Sequence, residues 1–239
     1  MPRAVLCLPT FDEMENLESM IRELAGVLDT SKDRVLVIDD ASPDGTGEIA
    51  DRLAVELSWV SVLHREHKEG IGAAYIAGFR WALAEGAELV LEMDCDFSHT
   101  PADVPRLIEA AGDADLVLGS RYAPGGGTEN WGLVRRFVSR GGCLYAQILL
   151  GMRIRDLTGG FKCFRRVVLE TLPLDQVTAA GYVFQVEVTY RALIAGFRVA
   201  EVPITFTDRI LGQSKMKGSI VVEAATRVPR LRRLGRPPR

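Results

Sequence analysis

Five short apolar runs recur through the first half of this chain, and between them the apolar residues fall into a helical period. Residues 4–9, 35–39, 60–64, 89–94 and 114–120 read as buried strands, while 16–28, 46–56, 71–85 and 102–111 carry apolar side chains three and four apart. Such alternation predicts an α/β fold, a mostly parallel sheet with helices on both faces. With 239 residues, 47% of them hydrophobic, the chain suffices for one large domain, or one domain and an appendage. In an open sheet of this kind ligands bind beyond the C-terminal ends of the strands, so the loops after the apolar runs are where chemistry is expected.

Those loops are acidic. The fourth run ends in Asp94-Cys95-Asp96. Two carboxylates one residue apart, leaving a rigid strand, can face one divalent cation, which prefers hard oxygen ligands and takes others from water and substrate phosphates. The plainer alternative is a strand end with an aspartate capping the next helix, and the dipeptide alone does not choose. Pro9-Thr10-Phe11-Asp12-Glu13 follows the first run, and Asp39-Asp40-Ala41-Ser42-Pro43-Asp44-Gly45-Thr46 follows the second. Turn and cap chemistry accounts for some of these residues. The paired Asp39-Asp40 reads as ligand contact, accepting hydrogen bonds from a base or ribose. Gly70-Ile71-Gly72-Ala73-Ala74 lacks the full dinucleotide fingerprint and follows the third run, so its small residues read as helix-to-sheet packing.

Other classes are disfavoured. A net charge of −3 argues against nucleic-acid binding through bulk charge. Cys7, Cys95, Cys143 and Cys163 form no Cys-x-x-Cys pair, which disfavours a zinc site or disulfide framework and fits a reduced, cytosolic compartment. The first residues lack the apolar run of a signal peptide, and no stretch reaches the roughly 18–20 apolar residues that span a bilayer.

Two segments suit a membrane surface instead. Residues 134–152 place Val134, Phe137, Val138, Tyr145, Ile148, Leu149 and Met152 at helical spacing, with Arg135, Arg136, Arg140 and Gln147 on other faces. This helix either packs on the core or lies in the membrane interface. The last thirteen positions hold six arginines, and no acid follows Glu223. Ile220, Val221, Val222, Val228, Leu231 and Leu234 accompany them, so the tail reads as a basic amphipathic attachment to anionic lipid, or as a solvated end.

The three loops above, followed by Gly119-Ser120-Arg121-Tyr122, Asp156-Leu157-Thr158-Gly159-Gly160-Phe161-Lys162 and Gly181-Tyr182-Val183-Phe184-Gln185-Val186-Glu187, resemble in this order the family-two glycosyltransferases of GT-A fold. Among these the set is most similar to the polyprenol (dolichol) phosphate mannose synthases, from about residue 5 to 217. The resemblance implies a Rossmann-like GT-A domain over 1–217 with the tail at 218–239. It implies inverting transfer of mannose from GDP-mannose to a polyprenyl phosphate, with Mg²⁺ or Mn²⁺, on the cytoplasmic face of a membrane. A separate membrane-spanning partner is compatible with it. Pro9, Phe11, Glu13, Asp39 and Asp40 would line the guanosine pocket. Asp94 and Asp96 would hold the metal against the diphosphate, with Ser98 where some relatives place a glutamine ligand. Arg121 and Arg135, or Arg136 in place of the latter, would face the acceptor phosphate. Arg209 and Lys215 would sit on a mobile basic loop over the phosphates. Asp96, Arg121, Arg209 and Lys215 would thus be the catalytic set.

The chemistry is consistent with that inventory. A phosphate monoester is already anionic near neutrality, its second pKa being about 6, so the nucleophile needs no general base and no catalytic histidine is expected. His99 reads as a supporting residue at a helix start, His64 and His67 as surface groups. Rival readings are transfer of glucose or another sugar, a nucleotide-sugar binding subunit without turnover, and a Rossmann oxidoreductase, the last weakened by the missing glycine fingerprint.

Overall fold

The computed structural model describes residues 1–177, 181–208 and 226–237. Its first half follows the expected alternation: β1 (Ala4–Thr10), α1 (Leu17–Ala25), β2 (Asp33–Asp39), α2 (Thr46–Glu56), β3 (Val60–His64), α3 (Ile71–Ala84), β4 (Leu89–Glu92), α4 (Val104–Ala110) and β5 (Leu116–Ser120). The second half adds β6 (Gly127–Glu129), α5 (Leu133–Leu150), β7 (Lys162–Arg165), α6 (Arg166–Thr171), α7 (Gly181–Ile194), β8 (Val199–Pro203) and β9 (Thr205–Thr207). The main sheet runs β3-β2-β1-β4-β7-β5-β8, and β6 pairs with β9 in a separate small ladder. Every ladder of the main sheet is parallel except those of β7, which is antiparallel to both β4 and β5.

The strands read as continuous apolar runs because both faces of the sheet are covered. On β1, Val5 and Cys7 enter one core cluster with α3, α6 and α7, while Ala4, Leu6 and Leu8 enter the other with α1, α2 and α4. β2 divides the same way, Leu36 and Ile38 against Val35 and Val37. In the glycine-rich start of α3, Gly72 and Ala74 are buried, Ala74 in the core shared with β1 and β2. Gly70 turns the chain at φ 101°, and two turns on a Cβ at Gly78 would stand 2.5 Å from Ile38 Cδ1 and 2.9 Å from Cys7 Sγ.

Several elements differ from the sequence reading. β4 ends at Glu92 rather than Asp94, and α4 follows a short 3-10 turn at Pro101–Asp103. The sequence pattern does not predict strands β6 to β9, which are three to five residues long, the first three of them carrying charge. Residues 226–231 form a helical turn whose Val228 and Leu231 are buried against the core of α7, and Tyr190 Oη donates to Gly235 O at 2.6 Å. The apolar residues expected at 220–222, with Arg209 and Lys215, lie outside the described residues. No helix among the described residues is long and apolar enough to cross a membrane.

Candidate active site

Beyond the C-terminal ends of β1, β2 and β4 lies a cavity of about 300 Å³. The loops after β1 and β2 are tied together by turn chemistry. Thr46 Oγ1 accepts from the Glu13 amide at 3.0 Å, Asp44 accepts from Met14 N at 3.1 Å and Thr46 N at 3.0 Å, and Asp40 N donates to Thr10 O at 3.0 Å. These bonds present Pro9, Phe11, Glu13 and Asp40 to the cavity. Burial pushes the Asp40 carboxyl up, opposed by its ion pair with Arg65. Lys68 Nζ sits 3.3 Å over the Phe11 ring, a cation–π contact on the same wall that sequence reading missed. Asp39 departs from expectation. It is buried but does not line the cavity; it accepts from Ser42 N at 3.3 Å, lies 3.4 Å from His64 Nδ1 and braces the loop. Adjacent residues leaving a strand face opposite ways, so only one of the pair reaches the wall.

Asp94 and Asp96 both line the cavity. Tyr75 Oη donates to Asp94 Oδ1 at 3.3 Å, and Ser98 N donates to Asp96 Oδ1 at 3.0 Å, closing a turn with Phe97 at φ 59°. Ser98 itself is buried outside the cavity wall, its carbonyl accepting from Thr207 N at 3.2 Å. Behind it, His99 packs on Phe161 and Phe206 at ring centroid distances of 5.0 and 5.1 Å, and burial holds its pKa down at about 4, leaving the ring neutral. The two wall carboxylates are hard oxygen donors suited to Mg²⁺ or Mn²⁺. No group of three or more His, Cys, Asp or Glu side chains among the described residues could complete a metal site, so such an ion would draw on substrate phosphate oxygens and water.

The two arginines expected at the acceptor phosphate part company. Arg121 is buried and off the cavity wall. Its Nε and Nη2 donate to the two Asp156 oxygens at 2.6 Å, and Nη2 also donates to Thr158 Oγ1 at 2.8 Å. The pair holds the Asp156 carboxyl below its usual range. Arg121 therefore fastens the segment from which Thr158 and Gly160 reach the cavity. Arg135, from the first turn of α5, does line it. That guanidinium lies 4.2 Å over the Trp131 ring, donates from Nη1 to Asp208 at 2.5 Å, and has a buried Nε without a hydrogen-bond partner among the described residues.

The far wall comes from α7, through Tyr182 and Gln185. Beneath it, Lys162 and Glu92 are register partners on β7 and β4, both fully buried. Burial pushes Glu92 up to about 7 and Lys162 down to about 8, each opposed by the charge of the other. Lys162 Nζ donates to Gln185 O at 2.8 Å and to Gln185 Oε1. The sequence signal for this group was a charge in the middle of an apolar strand.

Solved structures of similar architecture identify the fold. A glucosyl-3-phosphoglycerate synthase from Mycobacterium tuberculosis, in complex with Mn²⁺, uridine diphosphate and glucosyl-3-phosphoglycerate, matches with a TM-score of 0.70 at 20% identity over 99% of this chain and 81% of that one. A mannosyltransferase from Pyrobaculum calidifontis, in complex with GDP-Man and Mn²⁺, matches at 0.68 and 16% identity over 99% and 66%. The fold is the GT-A fold of glycosyltransferases. Within that class the chain belongs to glycosyl transferase family 2, whose model matches residues 5–172. The undecaprenyl-phosphate mannosyltransferase of Micrococcus luteus is 48% identical over 228 residues, covering 95% of this chain and 93% of that protein. The polyprenol monophosphomannose synthase of Mycolicibacterium smegmatis is 46% identical over 228 residues, covering 95% and 85%.

Proposed function

We propose that this enzyme transfers mannose from GDP-mannose to a polyprenyl phosphate at a membrane surface, inverting the anomeric centre, with Mg²⁺ or Mn²⁺ held by Asp94 and Asp96. The observation that carries the reading is one cavity with two strand-end carboxylates on one wall and Arg135, at the start of a helix with an exposed apolar side, on another. The names of the relatives that match nearly the whole chain support the same donor sugar and acceptor class.

In this reading Pro9, Phe11, Glu13 and Asp40 hold the nucleoside, and Asp39 braces their loop. An oxygen of the ionised acceptor phosphate attacks the anomeric carbon as the bond to the GDP oxygen breaks; that oxygen leaves with the electron pair. No proton needs to be removed from the nucleophile. The difficulty is repulsion between two phosphate groups, which Arg135 lessens on the acceptor side. Arg121 acts by holding the Asp156–Gly160 segment rather than by touching the acceptor. Arg209 and Lys215 would add positive charge over the diphosphate. A divalent cation, when bound, neutralises charge growing on the leaving diphosphate. With Ser98 outside the wall, Asp94 and Asp96 are the side chains that would hold such an ion.

Leu133, Val134, Phe137 and Ile148 on α5 are 71–78% exposed, while Cys143, Ala146 and Leu150 are buried. A helix so oriented lies in the headgroup–acyl boundary and brings Arg135 to the level of a lipid phosphate. The tail at 218–239 adds electrostatic attraction to anionic lipid on the cytoplasmic leaflet, on the order of 1 kcal/mol per arginine near the surface. The test is a radiolabel assay offering GDP-mannose and UDP-glucose in parallel to polyprenyl phosphate. Mannose transfer is expected, with Asp96→Asn losing turnover by about 100-fold or more. Preferential glucose transfer would overturn the donor assignment; near-normal Asp96→Asn turnover under chelation would overturn the metal site.

A further inference from the structure

Gly160, Gln185 and Asp94 meet at one point of the cavity. A Cβ at Gly160 would stand 3.4 Å from Gln185 Nε2 and 3.8 and 3.9 Å from the two Asp94 oxygens. The absence of a side chain there leaves a gap between an amide donor and a carboxylate, in the cavity that the loops after β1 and β2 also line. The amide orientation is not arbitrary. Lys162 Nζ is an ammonium with donors only, and it bonds the Gln185 side-chain oxygen as well as the Gln185 main-chain oxygen. With Oε1 occupied, Nε2 must face Gly160. Turned the other way, the amide would present an N–H to an ammonium and leave a buried cation short of an acceptor. Glu92, the register partner of Lys162 across the β4–β7 ladder, supplies a compensating charge, though neither of its buried carboxylate oxygens has a hydrogen-bond partner among the described residues.

Resting on the mannosyl-transfer reading, we propose that Gln185 binds the sugar of the donor: its Nε2 donates to a hexose hydroxyl oxygen over Gly160, and Lys162, with Glu92, is a positioning pair that fixes the amide. Each sugar hydroxyl can accept this bond while donating elsewhere, which suits a gap with a donor on one side and an acceptor on the other. In this reading the hexose rather than the nucleoside diphosphate enters the gap, so the sugar conjugate and the bare diphosphate would report on different parts of the site.

The experiment compares GDP with GDP-mannose. Dissociation constants for both, with Mn²⁺, and kcat/KM for transfer are measured for the unaltered enzyme, Gln185→Ala and Gly160→Ala. GDP affinity is expected to stay within about twofold while kcat/KM with GDP-mannose falls about tenfold, the factor one neutral hydrogen bond carries. The paired change Glu92→Gln/Lys162→Met removes both buried charges together, avoiding a lone one. It should produce the same tenfold loss by itself and none further in a Gln185→Ala background, because the pair acts through that amide. A merely structural role would instead lower GDP affinity in parallel and add to the Gln185→Ala loss; either result overturns the proposal, as does unchanged kcat/KM in Gln185→Ala. If the unaltered enzyme transfers glucose and not mannose, the donor reading fails, and the same contrast is scored with UDP and UDP-glucose.

Discussion

α3 and α5 are both long helices rich in apolar residues, yet one is absorbed by the sheet and the other turns most of its apolar side outward. α3 buries Ala74, Tyr75, Phe79 and Ala82 in the core shared with β1 and β2. α5 buries Cys143, Ala146 and Leu150, and leaves Phe137 and Ile148 77% and 74% exposed. Their glycines make the same point. Gly78 of α3 lies where a Cβ would collide with Ile38 and Cys7, whereas a Cβ at Gly141 or Gly142 of α5 meets nothing within 4 Å. The comparison shows that apolar content does not decide burial. α3 crosses from the edge strand β3 to the interior strand β4 and covers the sheet face over β1 and β2 on the way; α5 leads from the small β6 ladder to β7 and has a free side.

The largest expected effect lies in α3. Phe79→Ala empties a fully buried ring site packed against Tyr75 and Phe164, and should cost about 3–5 kcal/mol, read as a fall in denaturation midpoint. Phe137→Ser/Ile148→Ser on α5 should leave that midpoint nearly unchanged, each change worth within about 0.5 kcal/mol, while reducing co-sedimentation with anionic vesicles. A large drop in midpoint would mean that α5 packs against protein rather than lipid. The smallest effects are the most pointed, because one substitution should change sign between the helices. Gly78→Ala should destabilise: the forced shift of Ile38 and Cys7 costs about 1–3 kcal/mol, against about 1 kcal/mol returned by better helix propensity. Gly142→Ala should stabilise by about 0.5–1 kcal/mol, since it meets open space and restricts the unfolded chain. Matching signs in the two midpoints would sink the comparison.

Local pattern along the chain sufficed for the first five strands, the four helices between them, and the turn residues that end each strand. Those follow from local period and turn chemistry, which need no knowledge of neighbours. The order of acidic loops carried the family and the Asp94/Asp96 pair for the same reason: the residues are close in the chain as well as in space. Packing in three dimensions made the choices between chemically equivalent residues. Asp40 faces the cavity and Asp39 the loop behind it; Arg135 reaches the wall while Arg121 is held by Asp156, thirty-five positions away. The insertion of antiparallel β7 between β4 and β5 brings Lys162 against Glu92 and, through Gln185 on α7, to the cavity. These side chains are far apart along the chain, and a local pattern carries no information about which distant residue will satisfy a buried charge. Burial makes an unpaired charge so costly that, for Arg121 and Asp156, the partner settles where each one points.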